Sequence, residues 1–379
     1  DIAIAFLLAF ITAFVITPYS IRLAKKVGAV DYPNDRRVNK KPMPRLGGIA
    51  VIAGFLVSAI YLIITMRIEN NIDFITDGLG KKLLGFLFGA MVLEITCYID
   101  DVKGISPLAK LAGQLIAAII VVSCGVRIDN FTIPFKENSI MINEVISYIL
   151  TIGWIVGITN AINLIDGLDG LCGGMSVVIF VVIGCIAIVE RRMDITIITF
   201  LLAASTFGFL VYNAHPASIF MGDCGSLFLG FMISAISLLG FKSSTIVTLA
   251  LPMLLLMLPI IDTLSAILRR TLKGRKFLEA DKSHIHHLLM KQFGHRNTVI
   301  IMCGITTLFG FSAFVYMLNE MFGLLAIMII LLAVEIFIEK SAMISEHFHP
   351  ILGICRRVLN RIKLIAKIIK EHKEKKSAK

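Results

Sequence analysis

The chain has 379 residues, of which 57% are apolar and 17% charged, with a mean hydropathy of +0.87 and a net charge of +11. A soluble domain is about half apolar and about a quarter charged, so this balance excludes a soluble enzyme, a secreted disulfide scaffold and a disordered chain. An integral membrane protein remains. The seven cysteines are scattered, form no CxxC pair and read as free thiols. In so apolar a chain the positive charge faces anionic lipid or an anionic substrate rather than nucleic acid.

A spanning helix needs about 20 mostly apolar residues. Eleven stretches qualify, at roughly 2–18, 46–66, 79–99, 107–124, 145–163, 171–189, 195–212, 226–240, 245–267, 298–317 and 321–338. The first starts at Asp1 with neither an initiator Met nor a basic leader, and reads as an anchor helix whose start was trimmed. Between the fourth and fifth spans, β-branched runs around Pro134 and Asn138 predict a small hairpin within 126–142. Beyond the last span, apolar residues from Ile351 to Ile369 recur at helical spacing among Arg356, Arg357, Arg361, Lys363, Lys367 and Lys370. That pattern predicts a basic amphipathic helix on the inner leaflet. The expected fold is therefore an all-α polytopic membrane protein, with a transmembrane domain over 1–340 and a basic cytoplasmic tail over 341–379.

An odd number of spans puts the termini on opposite sides, and the positive-inside rule orients them. The loops 19–45 and 269–297 carry eight Lys and Arg each, and the chain after residue 339 carries eleven. With Lys103 and Lys110 these make 29 of the 37 basic residues. The expected N-terminus is outside and the C-terminus cytoplasmic.

On that topology the unusual polar residues gather at one face. Asp100 and Asp101 end the third span. Asn160, Asn163, Asp166 and Asp169 stand in NAINLIDGLDG at the end of the fifth. Asn213 and Asp223 stand in YNAHPASIFMGDCGS, and His284, His286 and His287 in ADKSHIHH. Polar groups at the inner ends of four separate segments predict one shared site. A channel or transporter would distribute them along a transmembrane path. Many carboxylates with few thiolates favour a hard cation, Mg²⁺ or Mn²⁺, over zinc. Lys and Arg beside such carboxylates suit phosphoryl transfer, and the absence of GxxxxGK[ST] excludes a P-loop ATPase. Asn163, Asp166 and Asp169 are three apart. On a helix each such step turns about 300°, so one broad helical face would carry all three. Glu94 and Asp262 fall inside spans and receive no role.

Five motifs then occur in order: DYPNDRRVNKKPMPRLGG, YIDD, NAINLIDGLDGLCGG, FMGDCGSLFLG and ADKSHIHH. Together, over about residues 18–335, they resemble the polyprenyl-phosphate N-acetylhexosamine-1-phosphate transferases of glycosyltransferase family 4. The resemblance implies transfer of a sugar-1-phosphate from a UDP-sugar to a polyprenyl phosphate such as undecaprenyl phosphate, releasing UMP. It implies Mg²⁺, a multi-pass place in the plasma membrane, a site on the cytoplasmic face and a homodimer.

By the same resemblance Asp100 matches the candidate base and Asp101 its neighbour. Asp223 matches the metal ligand, and Asn163 and Asp166 lie nearest the metal and pyrophosphate, with Asn160 in the same motif. Asp169, Asn213 and Phe220 match the uridine pocket, and Lys110 a phosphate contact rather than a side chain snorkelling to the interface. His284, His286 and His287 match the histidine loop that walls the sugar and pyrophosphate, with Arg275 adding positive charge. The peptidoglycan branch, which takes UDP-MurNAc-pentapeptide, usually shows PTMGG and three adjacent histidines. PRLGG and HIHH here resemble instead the branch that takes UDP-GlcNAc to begin teichoic acids, O-antigens or related envelope glycans.

Overall fold

Helices form where the apolar runs lie. The computed structural model describes residues 1–33, 41–70, 78–132, 139–240, 257 and 285–340, and these contain eleven α-helices. They are α1 (Ile2–Val27), α2 (Gly47–Asn70), α3 (Gly78–Lys103), α4 (Pro107–Ser123), α5 (Glu144–Ile165), α6 (Leu171–Val189), α7 (Met193–Asn213), α8 (Gly222–Gly240), α9 (Ile285–Phe293), α10 (His295–Leu318) and α11 (Glu320–Lys340). Eight of them, α1, α2, α5, α6, α7, α8, α10 and α11, are long and apolar enough to cross a membrane. The helix α4 is apolar but only 17 residues long, and α3 carries Asp100, Asp101 and Lys103 at its end. The span expected at 245–267 and the amphipathic tail lie outside the described residues.

Two small antiparallel pairs complete the described chain. Strands β3 (Asn130–Thr132) and β4 (Ser139–Met141) pair with Phe131 opposite Ile140, which is the hairpin expected within 126–142. Strands β1 (Val30–Asp31) and β2 (Met43–Pro44) pair with Val30 opposite Pro44 and have no forerunner in the sequence reading.

Packing sets which helix end meets which. In α1 the buried residues Ala5, Ala9, Ala13, Thr17, Ser20 and Ala24 make a stripe of small side chains, the arrangement that lets helices in lipid approach closely. That stripe packs on α2 and α7. A side chain at Gly208 would strike the Phe10 carbonyl, and one at Gly54 would strike Ser205. Three buried threonine hydroxyls are satisfied by the preceding turn: Thr17, Thr159 and Thr206 donate to the carbonyls of Ala13, Ile155 and Leu202.

The most enclosed span is α8, with 83% of its apolar window buried against 17% for α11. It packs on α2, α3, α5, α6 and α7. The Trp154 indole of α5 donates to the Ser237 hydroxyl of α8 at 3.2 Å. Surrounded in this way, α8 holds its N-terminus, Gly222 and Asp223, at the centre of one end of the bundle.

Candidate active site

The end of α3 is fixed by a residue from far upstream. Unpaired carbonyls at a helix C-terminus attract a cation, and Arg45 supplies it. Its Nε donates to the Asp101 carbonyl at 3.1 Å, and its Nη2 to the carbonyls of Asp100 and Asp101 at 3.1 and 3.0 Å. The Asp101 carboxylate then turns to α8. Its two oxygens accept the backbone N–H of Asp223 at 3.2 Å and of Cys224 at 3.0 Å, so it caps the first turn of α8 from another helix. Between these contacts lies Gly222 at φ +72°, where any side chain would collide with the Arg45 carbonyl. Only glycine fits both that dihedral and that space.

Around this joint four carboxylates converge. The helix α4 starts with Ser106 as N-cap, accepting the Ala109 N–H, and Pro107 as its first residue. The start so fixed places Lys110 one turn in. Its ammonium does not snorkel outward. It contacts Asp100 Oδ2 at 2.7 Å and Asp223 Oδ2. The other oxygen of Asp100 accepts the Ile105 N–H at 2.8 Å. Asn163 Nδ2 donates to Asp223 Oδ1 at 3.0 Å and to the Ser226 hydroxyl at 2.8 Å. Asn160 pairs with Gln114 through reciprocal amide bonds, Nδ2 to Oε1 at 2.5 Å and Nε2 to Oδ1 at 3.3 Å.

The helix expected to carry Asn163, Asp166 and Asp169 on one face is shorter than expected. It ends at Ile165 with Asp166 as its C-cap, and Gly167 and Gly170 follow in the turn to α6. Asp166 is half-buried beside the other acids. Burial, then the negative charges of Asp223, Asp101 and Asp169, push its carboxyl up to about 8. Oxygen ligands carrying more negative charge than Lys110 and Arg45 balance are the donor set of a hard divalent cation. The carboxylate oxygens of Asp223 and Asp166 are donors of the type such an ion takes.

Asp169 leaves the helix and joins a second group. Its Oδ2 accepts the Ala217 N–H at 3.2 Å and meets His215 Nδ1 at 2.7 Å. Asn213 is 2% exposed, and both ends of its amide are spent on backbone. Its Oδ1 accepts the Gly170 N–H at 3.1 Å, and its Nδ2 donates to the Ile219 carbonyl at 2.9 Å. It braces the two loops against each other. The backbone of Phe220 is tied to the β2 loop, its N–H donating to the Pro44 carbonyl and its carbonyl accepting the Gly47 N–H.

His284 and Arg275 lie outside the described residues. His286 and His287 stand in α9, and their side chains lie outside the description. Four residues at this end had no place in the sequence reading: Arg45, Gln114, His215 and His295. Arg45 stands in the quoted PMPRLGG motif, a signal that was present. His215 stands in the quoted YNAHPASIFMGDCGS stretch, two residues after Asn213, whereas for His295, 126 residues from its partner Asp169, the sequence offers no signal.

The chain is similar to known proteins. The profile of glycosyl transferase family 4 matches residues 83–241, which contain Asp100, Asp101, Lys110, Asn163, Asp166 and Asp223. A probable undecaprenyl-phosphate N-acetylglucosaminyl 1-phosphate transferase of Bacillus subtilis is 40% identical over 368 residues, covering 95% of this chain and 98% of that protein. A decaprenyl-phosphate N-acetylglucosaminephosphotransferase of Mycobacterium tuberculosis is 34% identical, covering 78% and 76%. A phospho-N-acetylmuramoyl-pentapeptide-transferase of Listeria welshimeri is 30% identical, covering 80% and 93%.

Proposed function

This chain belongs to glycosyl transferase family 4, and we propose that it transfers GlcNAc-1-phosphate from UDP-GlcNAc to undecaprenyl phosphate at the cytoplasmic face of the plasma membrane. The observation that carries the reading is the gathering at one pole of Asp100 and Asp223 on Lys110, of Asn163 on Asp223 and of Asp101 on the start of α8, with Asp166 near enough for the charges of Asp223 and Asp101 to raise its carboxyl. A hydrophilic nucleotide sugar and a lipid phosphate meet only at such a membrane-embedded pole. Beside it, a mostly apolar cavity of about 410 Å³ between α2, α3 and α8 is lined by Ile49, Ile52, Leu56, Tyr98 and Ile99, with Glu94 also in its wall. Its character suits an isoprenoid chain.

In the reaction an oxygen of the lipid phosphate attacks the β-phosphorus of the donor. The new bond is a phosphoanhydride. The bond from β-phosphorus to the bridging oxygen breaks, and UMP leaves with that oxygen and the electron pair. Positioning and charge neutralisation supply most of such a barrier reduction. Lys110, held between Asp100 and Asp223, would shift onto the incoming phosphate oxygens. A phosphate monoester has its second pKa near 6, so the acceptor is already mostly dianionic at neutral pH. Asp100 then serves by orienting Lys110 and by taking the residual proton when the monoanion binds. Asp101 and Arg45 keep the ends of α3 and α8 in register. Mg²⁺ held by Asp223 and Asp166 would supply charge neutralisation for the pyrophosphate and the leaving UMP.

PRLGG and HIHH support the UDP-GlcNAc donor over the pentapeptide donor, as does the higher identity to the Bacillus protein than to the Listeria one. The test is UMP release by purified protein in detergent, with undecaprenyl phosphate, Mg²⁺ and either donor. UMP from UDP-GlcNAc alone, abolished by EDTA, is the expected result. UMP from UDP-MurNAc-pentapeptide alone would keep the chemistry and overturn the donor. Release unaffected by EDTA would overturn the metal.

A further inference from the structure

Two polar rungs lie where α4 approaches α5. Lys110 and Gln114 are one turn apart on α4 and share a face, and Asn160 and Asn163 do the same on α5. The first rung runs from Lys110 through the Asp223 carboxylate to Asn163. The second is direct. Asn160 Nδ2 donates to Gln114 Oε1 at 2.5 Å, and Gln114 Nε2 donates to Asn160 Oδ1 at 3.3 Å. Gln114 is buried. Asn160 Nδ2 also donates to the Val156 carbonyl at 2.8 Å. Both of its N–H groups are thus used and its oxygen accepts, so this amide faces the protein rather than a ligand.

We propose that Gln114 is a positioning residue for the acceptor phosphate: its pairing with Asn160 holds α4 at the spacing from α5 that brings the Lys110 ammonium to Asp100 and Asp223. The inference rests on the transfer reaction proposed above, in which Lys110 receives the phosphate of the lipid. Among the described residues the Gln114–Asn160 bonds are the only hydrogen bonds that join α4 directly to α5. On its other side α4 lies close against α3, where a side chain at Gly113 would strike Thr96. Gly113 and Gln114 are adjacent in sequence. They fix α4 against a neighbour on either side, one turn from Lys110.

The chemistry of the pair explains why an amide stands there. Burying two amides costs desolvation that a leucine pair would not. An apolar contact, however, holds two helices while letting them slide, whereas a reciprocal amide pair is satisfied in one register. Inside a membrane bundle, an amide that loses its partner has little water to replace it. Lys110 needs such a register. Its long side chain must reach two carboxylates from different helices, and a small shift of α4 takes it away from both.

The test is steady-state UMP release by the purified full chain, with KM measured separately for undecaprenyl phosphate and for UDP-GlcNAc. The wild type is compared with Gln114→Leu, Asn160→Leu and the double variant. Leucine keeps the bulk and removes the pairing. Gln114→Leu is expected to lower kcat/KM for undecaprenyl phosphate about 10–100-fold, the scale of a small misplacement of a reacting group. KM for UDP-GlcNAc should change less than about twofold, a split that a general loss of folded enzyme does not produce. In the Asn160→Leu background the same substitution should add less than about twofold, because Gln114 acts through that partner. Gln114→Asn, an amide one methylene too short to span the gap, should show the same split and serves as the second variant where leucine prevents folding. Equal rises in both KM values, additive losses in the double variant, or wild-type kinetics in both Gln114→Leu and Gln114→Asn would overturn the proposal. A wild-type protein that released no UMP would overturn the transfer reading instead.

Discussion

Lys110 and Arg127 stand near opposite ends of α4, and each is flanked by two acids. Arg127 meets Glu144 at 2.7 Å and Asp129 at 3.4 Å, and those carboxylates are 73% and 56% exposed. Both partners are near in sequence. Lys110 meets Asp100 and Asp223, far better shielded, and Asp223 is 113 residues away. The charges are alike, but the settings are not. Water and salt screen the first group, and mobile side chains lose entropy in making it. Around Lys110, three helix ends and a turn hold like charges together that would separate if free. Convergence under partial burial, rather than the presence of an ion pair, marks the functional end of this bundle.

Removing a member of the convergent set should therefore have the largest effect. Asp223→Ala and Lys110→Ala are each expected to lower UMP release about 10²–10³-fold, the range for deleting one preorganised electrostatic group. Initial rates at saturating Mg²⁺ and both substrates measure this. A loss under tenfold for either variant would place the chemistry elsewhere. Gly222→Ala comes next. It forces a side chain to φ +72° against the Arg45 carbonyl, and strain of that kind costs at least about 1–3 kcal/mol. It should lower the melting temperature in detergent and reduce activity together, because Arg45, Asp101 and the start of α8 share the joint. An unchanged melting temperature would mean that the joint opens without cost.

A subtler contrast concerns Asp166. Its carboxyl, raised to about 8 from 3.8 by burial and by its acidic neighbours, is favoured in the protonated form on folding. A raised folded-state pKa contributes stability that is full below about pH 4 and is lost as pH rises through about 8. Metal-free protein should thus melt at falling temperature between pH 5 and 9. Asp166→Asn should flatten part of that fall. Equal slopes for the two proteins would show that the acids around Lys110 are not crowded in this way.

Much of this was readable beforehand, for physical reasons that also explain the remainder. Hydropathy reveals the apolar helices because burial in lipid demands a long run. Strand signals around Pro134 and Asn138 mark the β3–β4 hairpin, and the motifs name most acids of the site. The end of α5 escaped because three-residue spacing suits a helix, yet Gly167 and Gly170 open the chain just past Asp166. Arg45 escaped because its partners are carbonyls 55 and 56 residues on. A backbone carbonyl leaves no trace in a pattern of side chains. Asn213 looked like a ligand and serves as a brace for the same reason, its partners being the backbone of Gly170 and Ile219.

The smallest effect is the sharpest control on the opening contrast. Arg127→Ala removes a pair and a longer contact at exposed positions, and also the stacking of its guanidinium over Tyr148 at 5.3 Å. Exposed pairs contribute about 0–1 kcal/mol, and an exposed cation–π contact about 0.5–1 kcal/mol. The melting temperature should therefore fall only slightly, and high salt should remove the part of the fall that comes from the ion pairs, leaving the part from the ring contact. UMP release should stay at the wild-type rate, because among the described residues Arg127 pairs with Asp129 and Glu144 and not with Asp100 or Asp223. If Arg127→Ala lowered activity as strongly as Lys110→Ala, the two ends of α4 would be coupled through the helix. Burial would then no longer be what separates the functional charge cluster from the solvated one.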